Sequence, residues 1–123
     1  MDITEKIKNK AHKIGFDLIG ITTAEKLKDE YQRLKERKAN NHLSPFLDDN
    51  IEMLTTPKKH LESAKSIISL ALSYASKNEK KRDYKLTIYA QGKDYHKVMN
   101  TKMNKLVDYL KKLNKNVNTL TYV

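Results

Sequence analysis

Apolar residues recur along this chain at two distinct periods. Between Asp2 and Ile14, residues Ile3, Ile7, Ala11 and Ile14 fall every third or fourth position, while Lys6, Lys8, Lys10 and Lys13 lie mostly elsewhere. That spacing predicts an amphipathic helix over Asp2–Ile14. Asp2 or Thr4 suits its N-cap, and Gly15 suits the left-handed position that ends it. Phe16–Ile21 is a short, β-branched apolar run instead, and predicts a buried strand. Thr22 or Thr23 then caps a second predicted helix from about Ala24 to Lys38, with Leu27, Tyr31 and Leu34 as its inward stripe.

Asn40–Thr56 has no period. Pro45 and Pro57, with Asn40, Asn41, Ser44, Asp48 and Asp49, predict turns and at most a short helix around Phe46–Leu54. Pro57 suits the start of another short helix over Lys58–Ser63, capped by Thr56. Ser66–Tyr74 holds Ile67, Ile68, Leu70, Ala71 and Leu72, a near-continuous apolar run that predicts the central strand. Ser76–Asp83 is a charged loop. Leu86–Ala90 is β-like, Tyr95–Leu113 is strongly helical in its period, and Val117–Val123 is again β-like. Strands separated by helices favour a βαβ-type arrangement. The predicted fold class is therefore α/β, a small three- to four-stranded sheet with helices packed on it.

A chain of 123 residues is long enough for one domain with one core. Its hydrophobic fraction is low at 38%, yet the 33% of charged residues are mixed in sign and the periods are clear, which argues for a folded domain. There are no cysteines. That excludes disulfides, a cysteine nucleophile and a protein-ligated iron–sulfur cluster within these residues, and fits a cytoplasmic setting. The first twenty residues are charged and amphipathic, unlike a secretory signal, and no window approaches the ~18 apolar residues of a membrane span. The net charge of +10, mostly from lysine, raises association with nucleic acid or an anionic membrane through the summed field, but a plain lysine-rich surface has the same composition.

Candidate chemistry concentrates in one place. His12, His42, His60 and His96 are too dispersed for a metal-ligand signature, and His12 and His60, on lysine-rich helical segments, read as surface residues. Asp48, Asp49 and Glu52 read as a solvated turn or a helix cap rather than a cation site. Three glycines leave no Gly-rich phosphate loop. Tyr89–Met99, in contrast, reads Tyr-Ala-Gln-Gly-Lys-Asp-Tyr-His-Lys-Val-Met and bridges a predicted strand and a predicted helix start. Short polar loops on such junctions are held by rigid elements and carry function. Asp94 suits the N-cap and places His96 in the first helical turn; either Asp94 caps and His96 is merely exposed, or the group forms a site.

The order Tyr89-Ala-x-Gly92-x-Asp94-Tyr95-His96-Lys97-Val98 resembles the N-terminal domain of the epoxyqueuosine reductase family. Lys10–Ile21 looks like that family's opening helix and first strand, Leu61–Tyr74 like its second strand segment, and Thr119–Val123 like the approach to its Val-Asp-Thr motif. Two stretches depart from the family pattern: His42-Leu43-Ser44-Pro45 stands where Gly-Met is usual, and Leu54-Thr55-Thr56-Pro57 where Arg-x-Asp-Pro is usual.

The resemblance implies an oxidoreductase that completes queuosine in tRNA. It implies cobalamin held between this domain and a cysteine-rich domain carrying two 4Fe-4S clusters. With no cysteine and no Val-Asp-Thr aspartate, residues 1–123 are expected to be a single N-terminal corrinoid-binding-type domain, inactive without the iron–sulfur domain. The cofactor-binding residues it implies are Tyr89, Gln91, Gly92, Lys93, Asp94, Tyr95 and His96, with no catalytic residue and no metal ligand in this chain. Gly92 would let the backbone approach the corrin rim, Gln91, Tyr89 and Tyr95 would bond its amides, Lys93 or the helix N-terminus would meet the phosphate, and His96 would hydrogen-bond rather than ligate cobalt. Two other readings stay open: a basic nucleic-acid-binding module, and a corrinoid or iron–sulfur accessory protein with another substrate.

Overall fold

The computed structural model of the chain describes residues 1–47, 50–73 and 94–123. Its elements are α1 (Ile3–Ile14), β1 (Leu18–Thr23), α2 (Lys28–Ala39), α3 (Ile51–Thr55), a 3-10 turn (Pro57–Lys59), β2 (Ser66–Ala71) and α4 (Tyr95–Leu113). The contacts divide into two units. The first comprises Met1–Gly20, Ile68–Val117 and Thr121–Val123, the second Ile21–Ile67 and Asn118–Leu120.

The first unit is built on α1 and α4. Their apolar stripes supply Ala11, Met103 and Leu106, which are buried together with Phe16; Ile7, Ile14, Ile19, Ile68, Leu70 and Met99 pack around them. The spacing Met99, Met103, Leu106 keeps one face of α4 on this core. Ile3, at the start of the predicted stripe, is 56% exposed. The end of α1 explains the position of Phe16. Gly15 adopts φ 110°, a region closed to most side chains. Its N–H donates to the carbonyl of His12 at 3.0 Å, and the Phe16 N–H reaches back to Ala11 at 3.1 Å. This pair of bonds is a Schellman motif, and the accompanying apolar contact is Phe16 on Ala11. Lys102 of α4 adds a third tie, its Nζ donating to the Ile14 carbonyl at 3.0 Å.

That motif also moves the first strand. Phe16 is predicted to begin it, but its N–H is committed to the helix end. Pairing starts one residue later, where Asp17 N–H donates to Ala71 O, and the strand itself spans Leu18–Thr23. Thr22 and Thr23 are therefore strand residues rather than helix caps. The predicted helix from Ala24 begins only at Lys28, because Ala24 N–H donates to Lys65 O and Leu27 N–H to Thr55 O. Both donors are spent on distant partners before a helix can use the segment.

Two strands pair among the described residues, β1 with β2. The bonds from Asp17 to Ala71 and from Ala24 to Lys65 make the pair antiparallel. This corrects the βαβ expectation: the segment from Ala24 to Lys65, helices included, leaves β1 and returns to the same end of the ladder. The α/β class stands, with fewer strands than the three or four expected; Leu86–Ala90 and Ser76–Asp83 lie outside the described residues. Val117–Val123 forms no strand. Asn116 N–H bonds the Asn114 side chain and Val117 N–H the Asn114 carbonyl, which makes a turn after α4. Ile67, Ile68, Leu70 and Leu72 are half-buried, and Ile68 and Leu70 face the core.

In the second unit, Tyr31 and Leu34 are the half-buried side chains of α2 and no residue of that helix is fully buried. The short α3 is capped by Asn50, whose side chain accepts from Met53 N–H at 3.3 Å. Thr55 is 1% exposed and closes its hydroxyl on Ile51 O at 2.7 Å. Pro57 stands at the first position of the 3-10 turn, shorter than the helix predicted over Lys58–Ser63.

Candidate functional site

Among the predicted site residues, Tyr89, Gln91, Gly92 and Lys93 lie outside the described residues. Asp94, Tyr95 and His96 are described, and they form one group at the start of α4. The packing of Met99, Met103 and Leu106 fixes that helix in its unit, so its first turn is presented on a rigid element. Asp94 is the N-cap, as the sequence predicts. Its Oδ1 accepts the His96 backbone N–H at 3.0 Å and lies 3.1 Å from His96 Nδ1. The Tyr95 ring stacks on the imidazole, with centroids 4.0 Å apart and planes inclined by 29°.

The electrostatics follow from these bonds. The backbone N–H of His96, then its ring, hold the Asp94 carboxyl below the usual aspartate range, helped by the charges of His96 and Lys97. An ionised carboxylate can only accept, so Nδ1 of His96 carries the proton it donates to Asp94. In the neutral ring Nε2 is then an acceptor; in the protonated ring it becomes a second donor. Two further first-turn donors are also taken, since Lys97 and Val98 N–H both bond the Asp94 carbonyl, at 3.1 and 3.3 Å. About half of each side chain of the Asp94–His96 pair remains exposed. The result is an open edge carrying a carboxylate, an imidazole and a phenol, suited to bonding the neutral amides of a ligand.

The second unit holds a cluster that the sequence does not reveal. Lys26 Nζ meets Glu52 Oε1 at 2.8 Å, and Thr56 Oγ1 donates to Glu52 Oε2 at 3.1 Å. The Lys26 ammonium also stands 4.1 Å from the centre of the Tyr31 ring. The Lys26 hydrogen bond lowers the Glu52 pKa most; desolvation opposes it, and the Thr56 hydroxyl and the charges of Lys26 and Lys59 add smaller lowering effects. Twenty-six residues separate this ion pair, so no local spacing could announce it. Glu52 is thus satisfied by a cation and a hydroxyl; Asp48 and Asp49 lie outside the described residues. An open cleft of about 840 Å³ adjoins, lined by Thr22, Thr23, Lys26, Lys28, Thr56 and Lys58 among others.

His12, His42 and His60 are exposed, and the rings of two of them are tied down. His12 Nδ1 lies 3.0 Å from Phe16 O and His60 Nε2 2.6 Å from Met53 O, each closing a helix end. Among the described residues no group of three or more His, Asp or Glu is placed to hold a metal ion, and no helix is long and apolar enough to cross a membrane.

Comparison with known proteins bears on the same segment. The family model described as epoxyqueuosine reductase QueG, DUF1730, matches residues 55–123. An epoxyqueuosine reductase of Bacillus subtilis is 34% identical over 128 aligned residues, covering 98% of this chain and 33% of that protein. The solved structure of epoxyqueuosine reductase from Streptococcus thermophilus superposes with a TM-score of 0.80 at 34% identity, over 94% of this chain and 33% of that one. An epoxyqueuosine reductase solved with an epoxyqueuosine-modified tRNA stem loop superposes with a TM-score of 0.74 at 34% identity, over 89% of this chain. The chain spans about a third of the length of the relatives it matches.

Proposed function

Because the chain belongs to the epoxyqueuosine reductase family, we propose that it is the N-terminal, corrinoid-facing part of an enzyme that reduces epoxyqueuosine to queuosine in tRNA. The observation that carries this reading is the Asp94–Tyr95–His96 edge: the group singled out by the family-like motif is also the one that α4 presents, ordered and half exposed. A bound cobalamin would supply the cobalt centre for two-electron reduction of the epoxide, with electrons drawn from 4Fe-4S clusters outside these residues.

The donor set fits the rim of such a ring in part. Corrin amides both donate and accept, and meet here the Asp94 carboxylate, the His96 Nε2 and the Tyr95 hydroxyl. The phosphate of the cofactor tail fits less well at the helix N-terminus, because Asp94 already places a negative charge there and takes the His96, Lys97 and Val98 donors. In this proposal the phosphate is left to Lys93, and Tyr89, Gln91 and Gly92 complete the rim contacts. His96 orients and bonds the rim; it is not an axial ligand. Residues 1–123 alone carry no reductase activity in this reading, since cluster ligands and the acid are supplied elsewhere. The cytoplasm, where tRNA resides, is the proposed compartment.

The test is deletion of the gene that encodes the chain, followed by mass spectrometry of digested tRNA. The expected result is loss of queuosine and accumulation of its epoxide, restored by the wild-type gene. Unchanged queuosine refutes the function. Restoration by Tyr95→Ala at wild-type level, with unchanged cobalamin content in the purified protein, places the cofactor elsewhere.

A further inference from the structure

The net charge of the chain is unevenly spread. Of the 25 Lys and Arg residues, 16 fall in the first unit and 9 in the second; of the 15 Asp and Glu, 7 fall in the first and 8 in the second. The first unit thus carries almost all of the excess of +10. Within it the lysines of α1 and α4 follow a rule. Lys6, Lys10 and Lys13 each precede by one residue a side chain that α1 turns to the core, namely Ile7, Ala11 and Ile14. Lys102 and Lys105 stand in the same relation to Met103 and Leu106 of α4. Lys112, two turns beyond Lys105, continues that line.

Two contacts show that the lines meet. Lys102 Nζ reaches the Ile14 carbonyl at the end of α1, and Lys10 Nζ stands 5.4 Å from the centre of the Tyr109 ring, further along α4. The helices therefore run antiparallel, and an antiparallel pair turns the residue before each core position to the same side. The six lysines form one seam beside the helix interface, about 15 Å long by the rise of α4 from Lys102 to Lys112. Lys6, Lys13, Lys105 and Lys112 are exposed, and Lys10 and Lys102 half-buried. Among the described residues no acid forms an ion pair with any of them.

Such a seam attracts polyanions, and its surroundings select among them. A bilayer takes up apolar side chains beside the cations, whereas those of α1 and α4 are spent on each other. A protein partner needs an apolar centre, whereas Tyr109 is half-buried and lies under Lys10. A rigid row of cations without an open ring on it suits the phosphates of a paired RNA stem, which offers charge at regular intervals and no unstacked base.

We infer that the seam of Lys6, Lys10 and Lys13 with Lys102, Lys105 and Lys112 holds the phosphate backbone of a stem of the RNA substrate. The inference rests on the proposed tRNA substrate and adds to it a binding surface. Lys102 lies two turns from Tyr95 on the same helix, so the seam approaches the Asp94–His96 edge. Phosphate contacts position an RNA and carry no base identity.

The experiment follows binding of the purified chain to a fluorescent RNA hairpin by anisotropy, across a salt series. Lys6→Gln, Lys13→Gln, Lys105→Gln and Lys112→Gln combined are expected to weaken binding by about 10- to 1,000-fold at about 0.1 M salt, and to flatten the plot of log K against log salt by about 1 per lysine. Lys8→Gln, Lys35→Gln, Lys111→Gln and Lys115→Gln combined remove the same charge off the seam and cost a few-fold at most. All eight lysines are exposed, so both variants keep the thermal midpoint; should the first melt early, Lys112→Gln alone, with its slope change of about 1, decides. Arginine at the four seam positions retains binding, and exchanging the base pairs of the stem leaves affinity unchanged. Equal losses in the two fourfold variants overturn the inference, since net charge alone then holds the RNA. Absence of hairpin binding by the wild-type chain also overturns it. So does loss of binding to phosphatidylserine vesicles in the seam variant with RNA affinity unchanged, which assigns the seam to a membrane. Hairpin binding indifferent to the seam, with queuosine still lost on deletion of the gene, refutes the seam and leaves the proposed reaction standing; seam-dependent binding with unchanged queuosine refutes the reaction and leaves the seam.

Discussion

One substitution made at two positions tests the account of the core. Phe16→Ala removes a side chain that is 2% exposed and wedged among Ala11, Met103 and Leu106. Phe46→Ala removes the same atoms from a side chain that is 98% exposed. A fully buried phenylalanine truncated to alanine costs about 3–5 kcal/mol, from lost burial and the cavity left behind. The backbone at Phe16 is held by the helix end and by the ladder bond of Asp17, so the site is poorly able to collapse and the upper part of that range applies. Against a total stability of about 5–15 kcal/mol, such a loss lowers the thermal midpoint by about 10–25 °C for a chain of this length. An exposed substitution stays within about 0.5 kcal/mol. Circular dichroism melts of the two variants, with urea titrations to compare midpoints at constant slope, measure the difference. Equal shifts at the two positions would refute the burial of Phe16 and the packing of α1 on α4.

Gly15→Ala forces a Cβ onto a residue at φ 110° and brings it within 2.6 Å of Lys102 Nζ; the backbone strain costs about 1–2 kcal/mol, read as a lowered midpoint, and Lys102→Met in the same background should not restore it. Ile68→Asp places a charge against the α1–α4 core and is expected to unfold the first unit, costing several kcal/mol; an unaltered melt would show β2 to be exposed. The Asp94 carboxyl titrates below its usual range because folding gives it the His96 donors. Its pKa is depressed in the folded state, so its stabilisation is complete above the ordinary aspartate range and is lost as pH falls through the lowered value. Asp94→Asn keeps a cap but should remove that acid-side dependence, followed by the His96 ring signals in an NMR titration. Glu52 obeys the same sign, and Lys26→Met should return its titration toward the ordinary glutamate range.

The features legible in the sequence are those that short-range bonds decide. The limits of α4, the cap at Asp94, the stop at Gly15 and the core stripes of α1 and α4 all depend on residues within four positions of each other, where spacing and side-chain type are sufficient. The Asp94–His96 edge was legible for the same reason: its bonds span two residues. The tertiary structure decided the rest. Phe16 left the strand for the core because its N–H closes α1. Ala24 and Leu27 delayed α2 because they donate to Lys65 and Thr55. Strand direction followed from those same distant partners, and so did the Lys26–Glu52–Thr56 cluster and the unequal burial of the two phenylalanines. Hydrophobic character says only that a residue gains by burial; whether a partner surface stands opposite it is a property of the folded chain.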